Sequence, residues 1–459
     1  MKDKTTEIFR NAPVPKAVLY NVIPSIISMI MVLVYNLADT FFIGQTDDPL
    51  KVAAVSFATP VFLLFMAVGM LFGIGGTSLI SRMLGEGKRE KAKRTSAFCF
   101  WTGLSIGIVA MIFIWIFSRP ICRIVGADNE TIGFSMEYLN IVALGIPFLI
   151  ISNSFSNIIR AEGKAQIAMS GMIVGNIINV ILDPIMILTF GWGVAGAAIA
   201  TVLGNVASAT IYIAHLVSNK TILSIKPRDY SVKDKIFSGV MAIGIPASLN
   251  SILMSTSNIV INNVMAGFED GNIVVAGLGV AMKVNMIVVM LLIGLGSGVQ
   301  PLLGYCFGAG NRKRYMQVLR FSLAFAFVLS MIMTFICYFG AETLVKAFLE
   351  NEQAFGYGMK FSRIYILSGP IMGILFVMIN ALQSTGAAIP SLILSISRQG
   401  LVFMPVLFTL KLIFNEAEKV AYAQPITDYL AVTVAVILFI ITYFKYIKKI
   451  DKRVEEFTE

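Results

Sequence analysis

The chain has 459 residues, 57% of them hydrophobic and 14% charged, with a net charge of +10 and a mean hydropathy of +0.82. That balance excludes a soluble globular domain and defines a polytopic membrane protein. It also removes the positive charge as a nucleic-acid signal, because the basic residues sit in short clusters such as Lys88, Arg89, Lys91, Lys93 and Arg94 beside apolar stretches, where they set topology.

In chain order, the uncharged stretches Ala17 to Ala38, Val52 to Ser81, Thr95 to Ser118 and Phe321 to Ala341 each reach the length of about twenty residues that a spanning helix needs. Each is helix, since lipid offers backbone groups no other partner. The first is a full span ending at Asp39, unlike the short apolar core of a cleaved leader, and is expected to remain as helix 1. Pro184 to Asn219 and Ile236 to Phe268 are longer, but begin or end in loop-like sequence and hold one span each. The expected total is twelve transmembrane helices in an all-α integral membrane fold.

The chain is written twice. Residue n matches residue n+223 at Gly73 and Gly296, Gly85 and Gly308, Gly87 and Gly310, Pro147 and Pro370, and Gly163 and Gly386. Six spans per half return the chain to its starting side, so the halves are parallel repeats, an arrangement of secondary transporters. The expected division is a six-helix lobe over 1–220, a cytoplasmic linker over 221–238 and a second six-helix lobe over 239–459. With alternating loops, 26 of the 36 Lys and Arg fall on the side of both termini and 8 on the other, and Lys283 and Arg398 lie within spans. Both termini are therefore expected in the cytoplasm, with the chain multi-pass in a bacterial-type inner membrane.

Several chemistries find no support. Cys99, Cys122, Cys306 and Cys337 contain no CxxC and scatter over both faces and the spans, as buried thiols do. The sole histidine, His215, has no acidic or cysteine neighbour in sequence and reads as a helix-end residue. No GxxxxGK[ST] occurs, and the glycines of Gly73-Ile-Gly-Gly lie inside a span. Neither a cofactor, an enzyme activity nor ATP as fuel is expected.

Function then rests on polar residues at membrane depth, where an ionisable side chain costs about 2.5–3.5 kcal/mol and is a site hypothesis by default. Three acids qualify: Asp39, Asp183 and Asp428. Asn36 precedes Asp39 by about one turn and shares its face. Asn176, Asn179 and Asp183 recur at spacings of three and four, one polar stripe on an otherwise apolar fifth helix. Pro184 directly after the acid removes a donor and loosens the helix, freeing carbonyls that an ion can use. Glue between helices is the bland alternative. Against it, the repeat positions of Asp39 and Asp183 fall near Asn262 and Val406, so neither acid recurs in the second half. Two titratable acids among amides and hydroxyls suit binding and release of H⁺ or Na⁺, the only metal ion this site is expected to hold.

Four motifs in this order carry a family resemblance: Asp39-Thr-Phe-Phe-Ile-Gly44, Arg160-Ala-Glu-Gly163, Asn179-Val-Ile-Leu-Asp183-Pro184 and Ala423-Gln-Pro-Ile-Thr-Asp428. From about residue 15 to 445 the chain resembles the multidrug and toxic compound extrusion (MATE) family, in particular bacterial subgroups with acids in the first lobe, the MepA-like branch among them. The resemblance implies export of bulky, often cationic, amphipathic small molecules in exchange for H⁺ or Na⁺. It also implies that Asp39, Asn179, Asp183 and Thr201 line the coupling-ion site, with an amide from Asn153 or Asn157 nearby. The acids that other subgroups carry in helices 7 and 10 are missing, since Ser248 to Gly267 and Ser368 to Leu382 contain none.

Lys283 and Arg398 are embedded cations, placed either to neutralise acids across the cleft or repel cationic cargo, or to snorkel or pair within their own lobe. Asp428 belongs to the helix-12 motif and is read as packing that helix, with contact to cargo as the alternative. Met254, Met282, Met286 and Met290 offer an adaptable apolar wall for varied ligands, against ordinary packing. A flippase of lipid-linked or natural-product cargo would use the same repeats and is the alternative function. Oligomeric state is not legible.

Overall fold

A computed structural model describes residues 4–44, 49–218, 220–349 and 351–448; the expected lobe ends at 1–3 and 449–459 lie outside the described residues. Twelve spans follow one another: α1 (Val14–Gly44), α2 (Pro49–Gly85), α3 (Arg89–Ile124), α4 (Ile132–Ala161), α5 (Ala165–Pro184), α6 (Gly193–Val217), α7 (Ile236–Ala266), α8 (Gly271–Gly308), α9 (Arg312–Phe339), α10 (Glu352–Ile366 with Gly369–Ser384), α11 (Ala388–Ile413) and α12 (Ala417–Ile447). Eleven are individually long and apolar enough to cross a membrane, and α10 completes twelve as a pair bent by 51°. No strand occurs among the described residues. The fold is the expected all-α one.

The bend in α10 has a local cause. Pro370 lacks the N–H that would reach the Ile366 carbonyl, and Gly369 beside it adds backbone freedom. Pro147, its repeat mate, follows Ile146 and lies inside the unbroken α4. Another proline also marks a change in helix type: after Pro184, α5 widens into a π-helical turn over Ile185–Thr189.

The repeat extends to backbone conformation. Gly87 and Gly310 have φ of 77° and 71°, and Gly163 and Gly386 have 82° and 75°. All four follow helix ends in the left-handed region, where a side chain would be strained. The same cap closes α2 and α8: Lys88 N donates to Met83 O at 2.8 Å, and Asn311 N donates to Cys306 O at 3.1 Å. At the far end of α3, the Asp128 carboxyl is held below the usual carboxylate range by the Thr131 hydroxyl and by backbone N–H groups.

Two compact units form, and they depart from the repeat boundaries. One gathers residues 27–248 with the short helix Lys4–Asn11; the other gathers Ala12–Ile26 with the chain from Leu249 onward. In the first unit α2 and α3 pack on α4, and α4 and α5 pack on α6. The start of α7 joins them, because Gly75 lets α2 approach the Val240 carbonyl and Gly239 faces Leu79. In the second unit α8 packs on both halves of α10. There the start of α1 is the guest: Gly298 lies so close that an added Cβ would stand 2.7 Å from Val22 Cα. Gly75 and Gly298 are 223 positions apart, so the exchange of segments is itself repeated. The linker belongs to the first unit, through Trp101 Nε1 donating to Ile225 O at 3.0 Å and Arg94 meeting Asp234 at 3.2 Å.

A side chain at Gly75 would collide with rigid backbone. Gly75→Ala is expected to destabilise by about 1–3 kcal/mol, read as a lowered Tm of the purified protein in detergent. Gly133→Ala, where an added Cβ meets nothing within 4 Å, is the control expected to show no loss.

Candidate functional site

The first unit carries the polar centre. On α5 the three-and-four spacing puts Asn179 and Asp183 on the buried face, at 3% and 0% exposure. Asn176 stands one turn earlier, with its Nδ2 buried and without a hydrogen-bond partner. With the Asn179 amide oriented to satisfy its neighbours, Nδ2 donates to Asp183 Oδ2 at 2.9 Å, and Oδ1 accepts from Thr201 Oγ1 at 3.2 Å and Thr201 N at 3.0 Å. Asp183 Oδ1 is buried without a partner, leaving an oxygen able to take a cation. Asp39 on α1 lies within electrostatic reach of Asp183. The structure thus brings Asp39, Asn179, Asp183 and Thr201 into one cluster, with Asn36 a turn before Asp39 on α1.

Two tyrosines that sequence reasoning missed complete the cluster. The Tyr35 side chain hydrogen-bonds Thr201 and lies within charge range of Asp39, Asp183 and Tyr138; Tyr138 reaches in from α4. The i,i+4 spacing of Tyr35 and Asp39 was the available signal. On α4, Asn153 Nδ2 donates to Leu149 O at 3.0 Å and Asn157 Nδ2 to Asn153 O at 3.0 Å, while Asn157 Oδ1 accepts from Arg160 at 2.9 Å. Asn157 and its repeat mate Asn380 each make the same bond four residues back, and each stands against a glycine, Gly73 or Gly296. That duplicated packing assigns Asn157 a structural share.

The remaining residues sort by place. Lys283 Nζ sits 5.0 Å from the centre of the Phe348 ring. Met282 packs on the buried cluster of Leu278, Ala281, Phe361 and Tyr365, whereas Met286 is partly buried along α8. Arg398 is buried in the second unit, where its Nε meets Asp428 Oδ1 at 3.3 Å. Of the two roles open to this arginine, the structure shows pairing within its own lobe.

At the end of α4, Glu162 is fully buried and accepts from Ile222 N at 2.6 Å and Thr221 Oγ1 at 2.8 Å, with His215 Nε2 at 3.4 Å. The histidine does have an acidic neighbour, 53 positions away in sequence. Glu162 therefore anchors the linker. Glu162→Ala would strand a backbone N–H and a hydroxyl, an expected cost of about 1–3 kcal/mol, seen as faster hydrogen exchange and easier proteolysis between Thr221 and Lys235.

Twelve apolar spans in two repeats, with a buried acid and amide cluster where α5 runs into a π-helical turn, define a transporter architecture. The MatE family model matches residues 24–185 and again 246–409. The multidrug export protein MepA of Staphylococcus aureus (strain MSSA476) is 32% identical over 417 residues, covering 90% of this chain and 91% of its own. A crystal structure of MATE in complex with MaL6 superposes with a TM-score of 0.90 at 25% identity, covering 98% of this chain and 100% of that one. An outward-facing multidrug resistance MATE family transporter of the MOP superfamily has the same TM-score and identity, covering 98% and 99%. The chain belongs to the MATE family, whose members are transporters and not enzymes.

Proposed function

We propose that this chain is an antiporter that exports bulky, often cationic amphipathic drugs or toxic compounds in exchange for H⁺ or Na⁺, by alternating access across the cytoplasmic membrane with both termini inside. The coupling ion binds at Asp39, Asn179, Asp183 and Thr201. Carrying this reading is one observation: Asn179 joins the Asp183 carboxylate to Thr201 in a buried cluster that also feels Asp39, while Asp183 keeps one oxygen unpartnered. Oxygen donors around a carboxylate suit a hard cation or a proton alike. The 32% identity to a multidrug export protein supports the cargo class.

Energetics favour more than one ion per cycle. Moving one charge through 100 mV is worth about 2.3 kcal/mol, but one H⁺ entering for one monovalent cation leaving moves no net charge. Two acids in one cluster allow the stoichiometry that makes the membrane voltage usable. The test is ethidium uptake into inverted vesicles under a pH or a Na⁺ gradient imposed separately. Uphill uptake driven by one gradient establishes the antiport and identifies its ion; no uptake under either, with protein present and folded, refutes the drug-antiport reading.

A further inference from the structure

The second unit holds a charged network on the helix pair that repeats α5 and α6. Asp428 stands 223 positions after Asn205, Gln424 the same distance after Thr201, and Arg398 after Gly175. Thus α12 carries an acid where α6 carries an amide, and α11 carries a guanidinium on the counterpart of the helix that bears Asp183. In the first unit Asn205 donates to Thr201 O at 2.9 Å and accepts from Ser152 at 3.1 Å, all neutral bonds. In the second, Asp428 accepts from Arg398 Nε at 3.3 Å, Ser368 Oγ at 2.9 Å and Gln424 Nε2 at 3.3 Å. The π-helical turn Ser397–Leu401 positions Arg398, whose guanidinium also lies 5.4 Å from the centre of the Phe376 ring. Asp428 is 0% exposed and Arg398 6%.

The charged or titratable groups that face Asp428 among the described residues are Arg398 from α11 and Tyr365 from α10, whose hydroxyl is buried without a hydrogen-bond partner. Without the guanidinium, one carboxylate would stand beside the hydroxyl oxygens of Ser368 and Tyr365, donors of the kind hard cations take. We propose that Arg398 is a resident cation: it fills permanently, opposite Asp428, the role that a coupling ion fills in the first unit, and its removal uncovers a site for a monovalent cation in the second. The comparison with the first unit rests on the coupling site proposed above. It accounts for two repeats with one exchangeable ion site: the second copy is already loaded by its own side chain.

The experiment is Tm of the purified full-length protein in detergent against Na⁺ concentration, with choline holding ionic strength constant, and separately against pH, since ligands of the folded state raise Tm by mass action. Arg398→Gln is expected to start below wild type and to gain a Na⁺- or acid-dependent rise in Tm in addition to the one that wild type shows from its first-unit site. Arg398→Gln with Asp428→Asn is expected to lose that added rise, and Arg398→Lys, which keeps the charge, to behave as wild type. A folded Arg398→Gln protein with the same cation dependence as the double variant overturns the proposal. Should Arg398→Gln not fold, Arg398→Lys decides, because a lysine variant that also fails to fold, or that gains cation dependence, shows that charge is not what the site requires. Combining Arg398→Gln with Asp183→Asn separates the two claims: loss of only the wild-type cation response supports the first-unit site, and survival of the added response supports the resident cation independently.

Discussion

Replacing Asp183 by Asn is expected to abolish gradient-driven accumulation of ethidium in inverted vesicles while leaving the protein folded and inserted. The substitution keeps the shape of a fully buried side chain and removes only its charge and one acceptor. Asn179 Nδ2, which donates to Asp183 Oδ2, can donate to the remaining carboxamide oxygen of the new side chain, so α5 keeps that bond. The ion loses its carboxylate. Coupling free energies between sites are typically about 1–3 kcal/mol, or roughly 5–150-fold in affinity, and the accumulation ratio should fall by that factor toward equilibration. Downhill exchange of labelled for unlabelled cargo should persist, since it needs cargo binding without an ion gradient. Asp39→Asn is expected to act in the same direction, because Asp39 and Asp183 feel each other's charge. A variant at Asp183 that still concentrates ethidium as wild type does would remove this residue from coupling.

How much of this was legible depended on whether a signal was local. The α5 stripe could be read because Asn176, Asn179 and Asp183 follow helical spacing, and burial of the last two follows from the same arithmetic. Thr201 entered only through resemblance, because a lone threonine on an apolar helix has no pattern. Tyr138 had no signal for a similar reason, and Tyr35 had only its i,i+4 spacing to Asp39: tyrosine is at home at membrane interfaces, and what marks these two is the tertiary approach of α1 and α4 to Thr201 and Asp183. The 223-residue offset revealed the repeat down to the positive φ of Gly87 and Gly310. It did not reveal that Ala12–Ile26 and the start of α7 each pack in the unit of the other repeat, since identical small-residue seams at Gly75 and Gly298 specify a close partner without saying which copy supplies it. The pairs Glu162 with His215 and Arg398 with Asp428 are 53 and 30 positions apart, beyond any helical period.

Breaking that last pair from the acidic side is expected to produce the largest loss of stability. Asp428→Ala leaves a guanidinium buried without its anion, and removing one partner of a buried ion pair costs about 3–5 kcal/mol. The loss should exceed that of an isolated pair's removal in one respect: Ser368, which donates to Asp428, sits at the break of α10, so the 51° bend loses a side-chain tether as well. The control is Asp428→Leu with Arg398→Met, which removes both charges and restores apolar volume; such replacements are often neutral or stabilising. Asp428→Leu alone, Arg398→Met alone and the double variant close a double-mutant cycle, read as Tm in detergent. A large negative coupling, with the double variant near wild type, is expected, because each single variant strands the other's charge. Additive losses would instead mean that the two side chains contribute independently, and the bend of α10 would then owe its geometry to Gly369 and Pro370 alone.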